Sequence, residues 1–469
     1  MISRRGWLVA LGVIVCGSTF PWRAAAQGMD DRDRWYSAAM MPRSHWLGSM
    51  VVLKDGRLMI MGGFNGAAGF FPDPSVDLYD PRTDSWSSGA SMPTATLTIN
   101  SAVVLRGSGE VLVFGGDIRF ATTDTLQSYL YDPKTDTWAA TGSLPSSAKF
   151  YSAYNMRPLV LKDGNVLAIP NISGDSGATS GLVPTSRHAF RYDPSTGRWS
   201  AASDMHVSHA ETQPVLLDDG RVFMCGGRGQ TTPDGQGPEI SYTNTAEVYD
   251  PVADTWTFAA SMPPIPGEDD VFGTAVPGNR HGHSITVLAD GRVLVAGGYA
   301  AIPGVRPDPN DSTALFKRSS ALTYDPATDT WTQVASCHFA RASSAVFDLP
   351  GGNVAITWGD GVDLAAGMSP QDDWPTSTTE IYDPMNDTWT LGADVQRSTF
   401  APPELHLAEA VYFTPDTESI SVSDDLKATF GSFVLSDTDY QAGGLSTRLQ
   451  LYVSASPSST RRASVPLRP

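Results

Sequence analysis

The chain has 469 residues, 41% of them hydrophobic and 10% aromatic, and carries a formal net charge of −18. That apolar and aromatic content excludes a disordered tail, and a charged fraction of only 17% excludes a coiled coil or a solvated helical array. The acidic balance argues against nucleic acid and against anionic lipid, since both require a basic surface.

The first segment reads as an export address. Arg4 and Arg5 precede an apolar run from Trp7 to Val15, and Ala24-Ala25-Ala26 offers small residues for cleavage before Gln27. The run is too short to span a bilayer, which takes about 20 residues. Ser3-Arg4-Arg5-Gly6-Trp7-Leu8 resembles a twin-arginine signal, with a general secretory signal as the alternative. Removal of residues 1–26 takes away three arginines and no acid, leaving a net charge of −21. The sequence reading is therefore a signal peptide over 1–26, one domain over 27–454 and a tail over 455–469, in a chain exported to the periplasm or beyond. No later segment is apolar enough for a membrane anchor. Cys225 and Cys337, the two cysteines that remain, are too few for a disulfide framework and read as small core residues.

Self-similarity carries the fold. Six copies of one motif run along the chain: Tyr79–Trp86, Tyr131–Trp138, Tyr192–Trp199, Tyr249–Trp256, Tyr324–Trp331 and Tyr382–Trp389, each opening on Tyr-Asp-Pro and closing on Trp. Asp-Pro suits the start of a tight turn: proline presets φ, and the aspartate side chain caps the turn. Upstream of each copy lie two apolar runs joined by a short Asp-Gly or Gly-Gly turn, as in Val51–Gly63 and Val215–Gly227. This pattern signals a hairpin whose strands are buried on both faces. Each copy thus predicts a four-stranded antiparallel sheet, and six or more such sheets in one chain predict a radial β-propeller.

Gly-Gly, then Tyr, then Trp after an apolar hairpin resembles the kelch repeat, over about residues 35–389. Pro170-Asn171 and Trp358-Gly359 depart from the Gly-Gly pattern. The fold class expected is an all-β kelch propeller, with seven blades favoured and six as the alternative. Seven follows from Trp35, whose surroundings match those of Trp256 but which belongs to no complete copy. It is expected to supply the outermost strand of a closing blade, with Ile420-Ser421-Val422, Ser432–Leu435 and Arg448–Val453 as the inner three.

Loop length points to where function sits. The turns within the a–b and c–d hairpins barely vary, so the long connections fall on the opposite face. From the second Gly to Tyr the gap is 16 residues in the first copy but 22, 26 and 23 in the fourth, fifth and sixth. Binding on a rigid scaffold usually resides in such loops, which places the candidate site beside blades four to six. His209, Arg228, Arg280, His281, His283 and Arg306 are the ligand-binding candidates there. Arg280 and His283 fit the Arg-x-x-His-Ser pattern of the repeat and carry a structural reading as well. Glu268-Asp269-Asp270 lacks calcium-loop spacing, and no nucleophile motif or phosphate loop is present. Three glycosylation sequons, at Asn171, Asn310 and Asn386, are of a length that arises by chance.

The function expected is a monomeric binding or scaffold module for a protein or glycan, without cofactor or metal. The alternative is a carbohydrate-acting enzyme, because the resemblance extends to galactose oxidase and to periplasmic sialic-acid epimerase. The resemblance to copper oxidases further implies a Tyr–Cys cross-link and two His ligands, and neither Cys225 nor Cys337 lies in such a motif.

Overall fold

The computed structural model describes residues 34–453, apart from isolated positions and the stretches 64–71, 96–100, 116–125, 147–155, 171–185, 230–240, 302–314, 363–373, 393–417, 422–425 and 434–445. It is all-β among the described residues save one turn of helix, Asp269–Phe272. Each motif copy lies in its own antiparallel four-stranded sheet, in simple sequential strand order. The fourth is representative: strand a Val215–Leu216, b Val222–Cys225, c Ala246–Asp250 and d Thr255–Ala259. The b strands are buried along their whole length in all six, as their unbroken apolar sequence requires.

The core lies between sheets rather than in one central mass. Met59 and Val76 of blade one pack on Val111 and Tyr131 of blade two. Leu167 and Ile169 of blade three likewise meet Met224 and Trp256 of blade four. Cys225 and Cys337 are free thiols buried in such clusters, as expected of small core residues.

The Tyr–Trp turn holds neighbouring blades together. In blade four Tyr249 and Trp256 face each other across strands c and d, with ring centroids 5.0 Å apart. Asp254 between them sits at φ 51°, in the left-handed region that aspartate tolerates better than most residues. Its Oδ1 accepts from the Tyr249 hydroxyl at 2.8 Å and from the backbone N–H of Ser203, at the end of blade three, at 2.9 Å. The Trp256 indole N–H donates to the carbonyl of that same Ser203 at 3.0 Å. Asp84 with Trp86, Asp136 with Trp138, Asp329 with Trp331 and Asp387 with Trp389 hold Ala39, Ala90, Ala260 and Ala335 in the same two-point grip. Each blade therefore holds its predecessor. Blade three departs: Gly197 replaces the aspartate, Gly142 N–H donates to the Gly197 carbonyl at 2.9 Å, and the Trp199 indole turns to Ser128.

The described side chains establish six blades, the alternative count, one per motif copy. A further four-stranded sheet joins the two ends of the chain in the order Arg34–Ser37, Ser446–Val453, Leu426–Phe433, Glu418–Ser421. Trp35 is in register with Tyr452, as Trp256 is with Tyr249. Ala39, which follows Arg34–Ser37, is gripped by blade one as each outer strand is gripped by the blade after it. The side chains of this sheet lie outside the described residues. Its second strand starts at Leu426, earlier than the expected Ser432, because Ile420 pairs with Ala428.

Two stability measurements check this frame. Trp256→Ala removes a buried indole and should cost about 3–5 kcal/mol in denaturant unfolding; Asp254→Ala, which strands a phenol and a backbone N–H, should cost about 1–3 kcal/mol. Deletion of residues 27–40 removes both the strand paired with Ser446–Val453 and the residue gripped by blade one, and should lower the melting temperature by several degrees. An unchanged melting temperature would show that this segment closes nothing.

Candidate functional site

The long connections gather on one face, where blades four to six are elaborated. Two two-stranded ribbons extend the b–c connections: Arg228–Gly229 with Ser241–Tyr242, and Tyr299–Ala301 with Leu315–Lys317. Over blade six Ala340–Ala342, Asp360–Val362 and Trp374–Pro375 form a third small sheet. The entry segments to strand a pair with these ribbons, Ala210 with Arg228 and His281 with Tyr299.

The described site candidates His209, Arg228, Arg280, His281 and His283 are all buried. His209 lies 17 residues before Gly226 and contacts its carbonyl through Nδ1 at 2.6 Å; its Nε2 is 3.3 Å from Glu247. His45 repeats this with Gly62 and Asp77 in blade one. Arg280 occupies the equivalent place in blade five, donating to the Gly297 and Ser320 carbonyls and to Ser320 Oγ. Arg341 does so in blade six, reaching Glu380 at 2.7 Å. These are cross-ties between the entry segment and the strand c region. Glu247 also accepts from the backbone N–H groups of His206 and Val207; burial raises its pKa, but the hydrogen bond and charge of His209 first, and then the bonds from His206, hold it below the usual carboxylate range. Glu268 and Asp269 are likewise structural, clamping the buried Arg318 at 2.9 and 2.6 Å.

His283 is buried between blades four and five, with Nε2 3.2 Å from Thr212 Oγ1 and 3.8 Å from Cys225 Sγ. Burial first, and then the nearby Arg280, push its pKa down to about 3. Burial pushes the Cys225 thiol up to about 12, so it is an inert thiol at neutral pH. Arg306 lies outside the described residues.

His281 is brought together with Arg228 by a residue the motif search did not single out. Glu211, at φ 62°, places Oε2 2.6 Å from His281 Nδ1 and 2.9 Å from Arg228 Nε. The imidazole is stacked between Tyr242 and Tyr299, at 4.6 and 5.3 Å between centroids. The Arg228 guanidinium lies over the Tyr242 ring at 5.6 Å and the Lys317 ammonium over the Tyr299 ring at 5.7 Å. The column thus runs from one ribbon to the other through a single histidine. Glu211, Gly282 and Ser343, all left-handed, link blades four, five and six: Gly282 N–H donates to the Glu211 carbonyl and Ser343 N–H to the Gly282 carbonyl, at 2.8 and 2.6 Å. Part of the signal for this set is in the sequence, since Tyr242 and Tyr299 lie in long insertions on either side of the unusual His281.

Comparison with known proteins now has a structure to meet. A family model described as Kelch motif matches residues 50–93 and 214–263, the hairpin-and-turn units of blades one and four. The chain is a kelch-repeat β-propeller. The propeller is similar to Kelch-like protein 35 of Mus musculus, 28% identical over 42% of this chain and 29% of that protein. It is also similar to galactose oxidase of Gibberella zeae, 26% identical over 71% of this chain and 45% of the oxidase. The chain therefore spans less than half the length of either relative. Among solved structures, a copper-bound fungal alcohol oxidase of the AA5 family superimposes with a TM-score of 0.57 at 13% identity, covering 90% of this chain and 77% of that one, a likeness of fold alone. Among the described residues no group of three or more His, Cys, Asp and Glu side chains is placed to hold a metal ion.

The buried imidazoles make the propeller acid-sensitive. His283 is depressed in the folded state, so its contribution is complete above the unfolded value near 6.5 and is lost as pH falls below it toward 3. Unfolding free energy should therefore drop by about 2 kcal/mol between about pH 7 and pH 5 through this residue. In His283→Gln that part of the slope should vanish; an unaltered slope would place the sensitivity elsewhere.

Proposed function

We propose that this propeller is an exported binding module whose long-loop face, over blades four to six, takes a protein or glycan partner. The observation that carries the reading is the commitment of the polar groups beneath that face. His45, His209, Arg280, Arg341 and the strand c carboxylates are spent on cross-ties, while the ribbons that vary in length project from a scaffold locked blade to blade. Such a division, rigid ring and variable rim, serves recognition. The leader-like first 26 residues and the acidic balance support export. A second reading, a carbohydrate-acting enzyme, draws support from the similarity to galactose oxidase over 71% of this chain.

A glycan and metabolite array together with protein capture, with metal analysis of the same sample, separates the two. Binding without turnover and without stoichiometric metal supports the module; turnover of a sugar supports the enzyme. For any partner found, replacing residues 302–314 by a short Gly-Ser linker should abolish binding and leave the melting temperature within about 2 °C. The same replacement of residues 64–71 in blade one should leave binding intact. Binding that survives the first replacement would remove the site from this face.

A further inference from the structure

The His281 column bridges two ribbons that also meet where Tyr242 packs with Ala301 and Leu315. Glu211 reaches it from the entry segment of blade four, Arg228 and Tyr242 from the first ribbon, and Tyr299 and Lys317 from the second. Arg280 and His283 lie beside it on the same entry segment, just before Ser284–Val287. His281 is 2% exposed, and its Nε2 has no hydrogen-bond partner among the described residues. In the closed column the Nδ1–H is directed at Glu211, which leaves Nε2 as a bare acceptor inside the stack. A proton there creates a buried N–H without an acceptor and a third cation in line with Arg228 and Lys317.

We propose that His281 is a proton-operated latch: neutral, it holds the ribbons of blades four and five against each other, and protonated, it releases them from the face. An unsatisfied buried charged donor is among the costliest groups a fold can hold. Opening one ribbon solvates Nε2 while the ring beneath, gripped turn by turn, stays intact. Burial depresses the imidazole, Glu211 opposes that shift, and Arg228 adds to it. The folded pKa thus lies below the ordinary imidazole value, so the closed state is favoured at neutral pH and is lost as pH falls beneath that range. The latch concerns the ribbons themselves and does not depend on which partner the face takes.

Hydrogen exchange of the full chain, corrected for intrinsic rates, tests it between about pH 7 and about pH 5. Peptides covering Arg228–Gly229, Ser241–Tyr242, Tyr299–Ala301 and Leu315–Lys317 should exchange about tenfold faster at the lower pH, with the strands of blades one and two unchanged. In His281→Phe, whose ring stacks but takes no proton, the acceleration should disappear. No acceleration in the natural chain, an equal one in His281→Phe, or one shared by all blades would overturn the latch. Should His281→Phe fail to fold, Glu211→Gln serves instead: it removes the charge that stabilises the imidazolium in the closed column, so the acceleration between about pH 7 and about pH 5 should grow. An unchanged or smaller acceleration would overturn the proposal equally.

Discussion

The two-point grip of the Tyr-Asp-Pro turn is the interaction on which the propeller depends. A four-stranded sheet of this size cannot bury both faces by itself, and its apolar b strand would be exposed without a neighbour on either side. Stacking supplies the apolar contact but not the angle. The aspartate and the indole fix the angle by taking the N–H and the C=O of one residue at the end of the preceding outer strand. Both partners of that backbone unit are satisfied at once, so the seam is specific as well as dry. The left-handed aspartate is strained by its own φ, and the tyrosine hydroxyl and backbone N–H that converge on it keep it there.

Electrostatics follow the same economy. The chain is acidic overall, yet its buried charges are balanced locally, with Asp77, Glu247 and Glu380 each facing an imidazole or guanidinium from the entry segment. Blade five lacks the strand c carboxylate, having Leu322 at that position, and Glu268 on a loop replaces it by accepting from Ser319 and Ser320 N–H at 3.0 Å each. The replacement explains why the acidic run at 268–270 lies within an otherwise apolar connection: it completes a buried network from outside the sheet.

Much of the frame was legible in the sequence because the determinants are local and repeated. Tyr, Asp, Pro and Trp stand at fixed spacing, so six motif-bearing sheets and the long-loop face could be read directly, although the orphan Trp35 tipped the blade count toward seven. The roles of His209 and Arg280 were harder to read. They act across 17 residues to a glycine carbonyl, a non-local tie that looks in sequence like a surplus of polar residues beside a loop. Aligning the copies on Gly-Gly brings His45, His209 and Arg280 into one column and reveals the tie. Glu211 was missed for a different reason: its importance lies in a left-handed backbone and in two partners from separate insertions, neither of which has a spacing to search for. Lys317 has no motif to mark it, since its place over Tyr299 depends on ribbon pairing.

The grip also has a direction. Every clasp reaches backwards, from the turn of one blade to the end of the strand before it, and blade one reaches back to Ala39. During synthesis a finished blade therefore stays unlocked until the next Tyr-Asp-Pro turn has left the ribosome, so assembly proceeds in step with translation. The earliest strand waits for the last. Arg34–Ser37 emerges before any blade, yet its sheet partner Ser446–Val453 is made at the far end of the chain. The ring thus behaves as a zip with a delayed fastener: six links close in order of birth, and the joint between the two ends forms only when the whole chain is available.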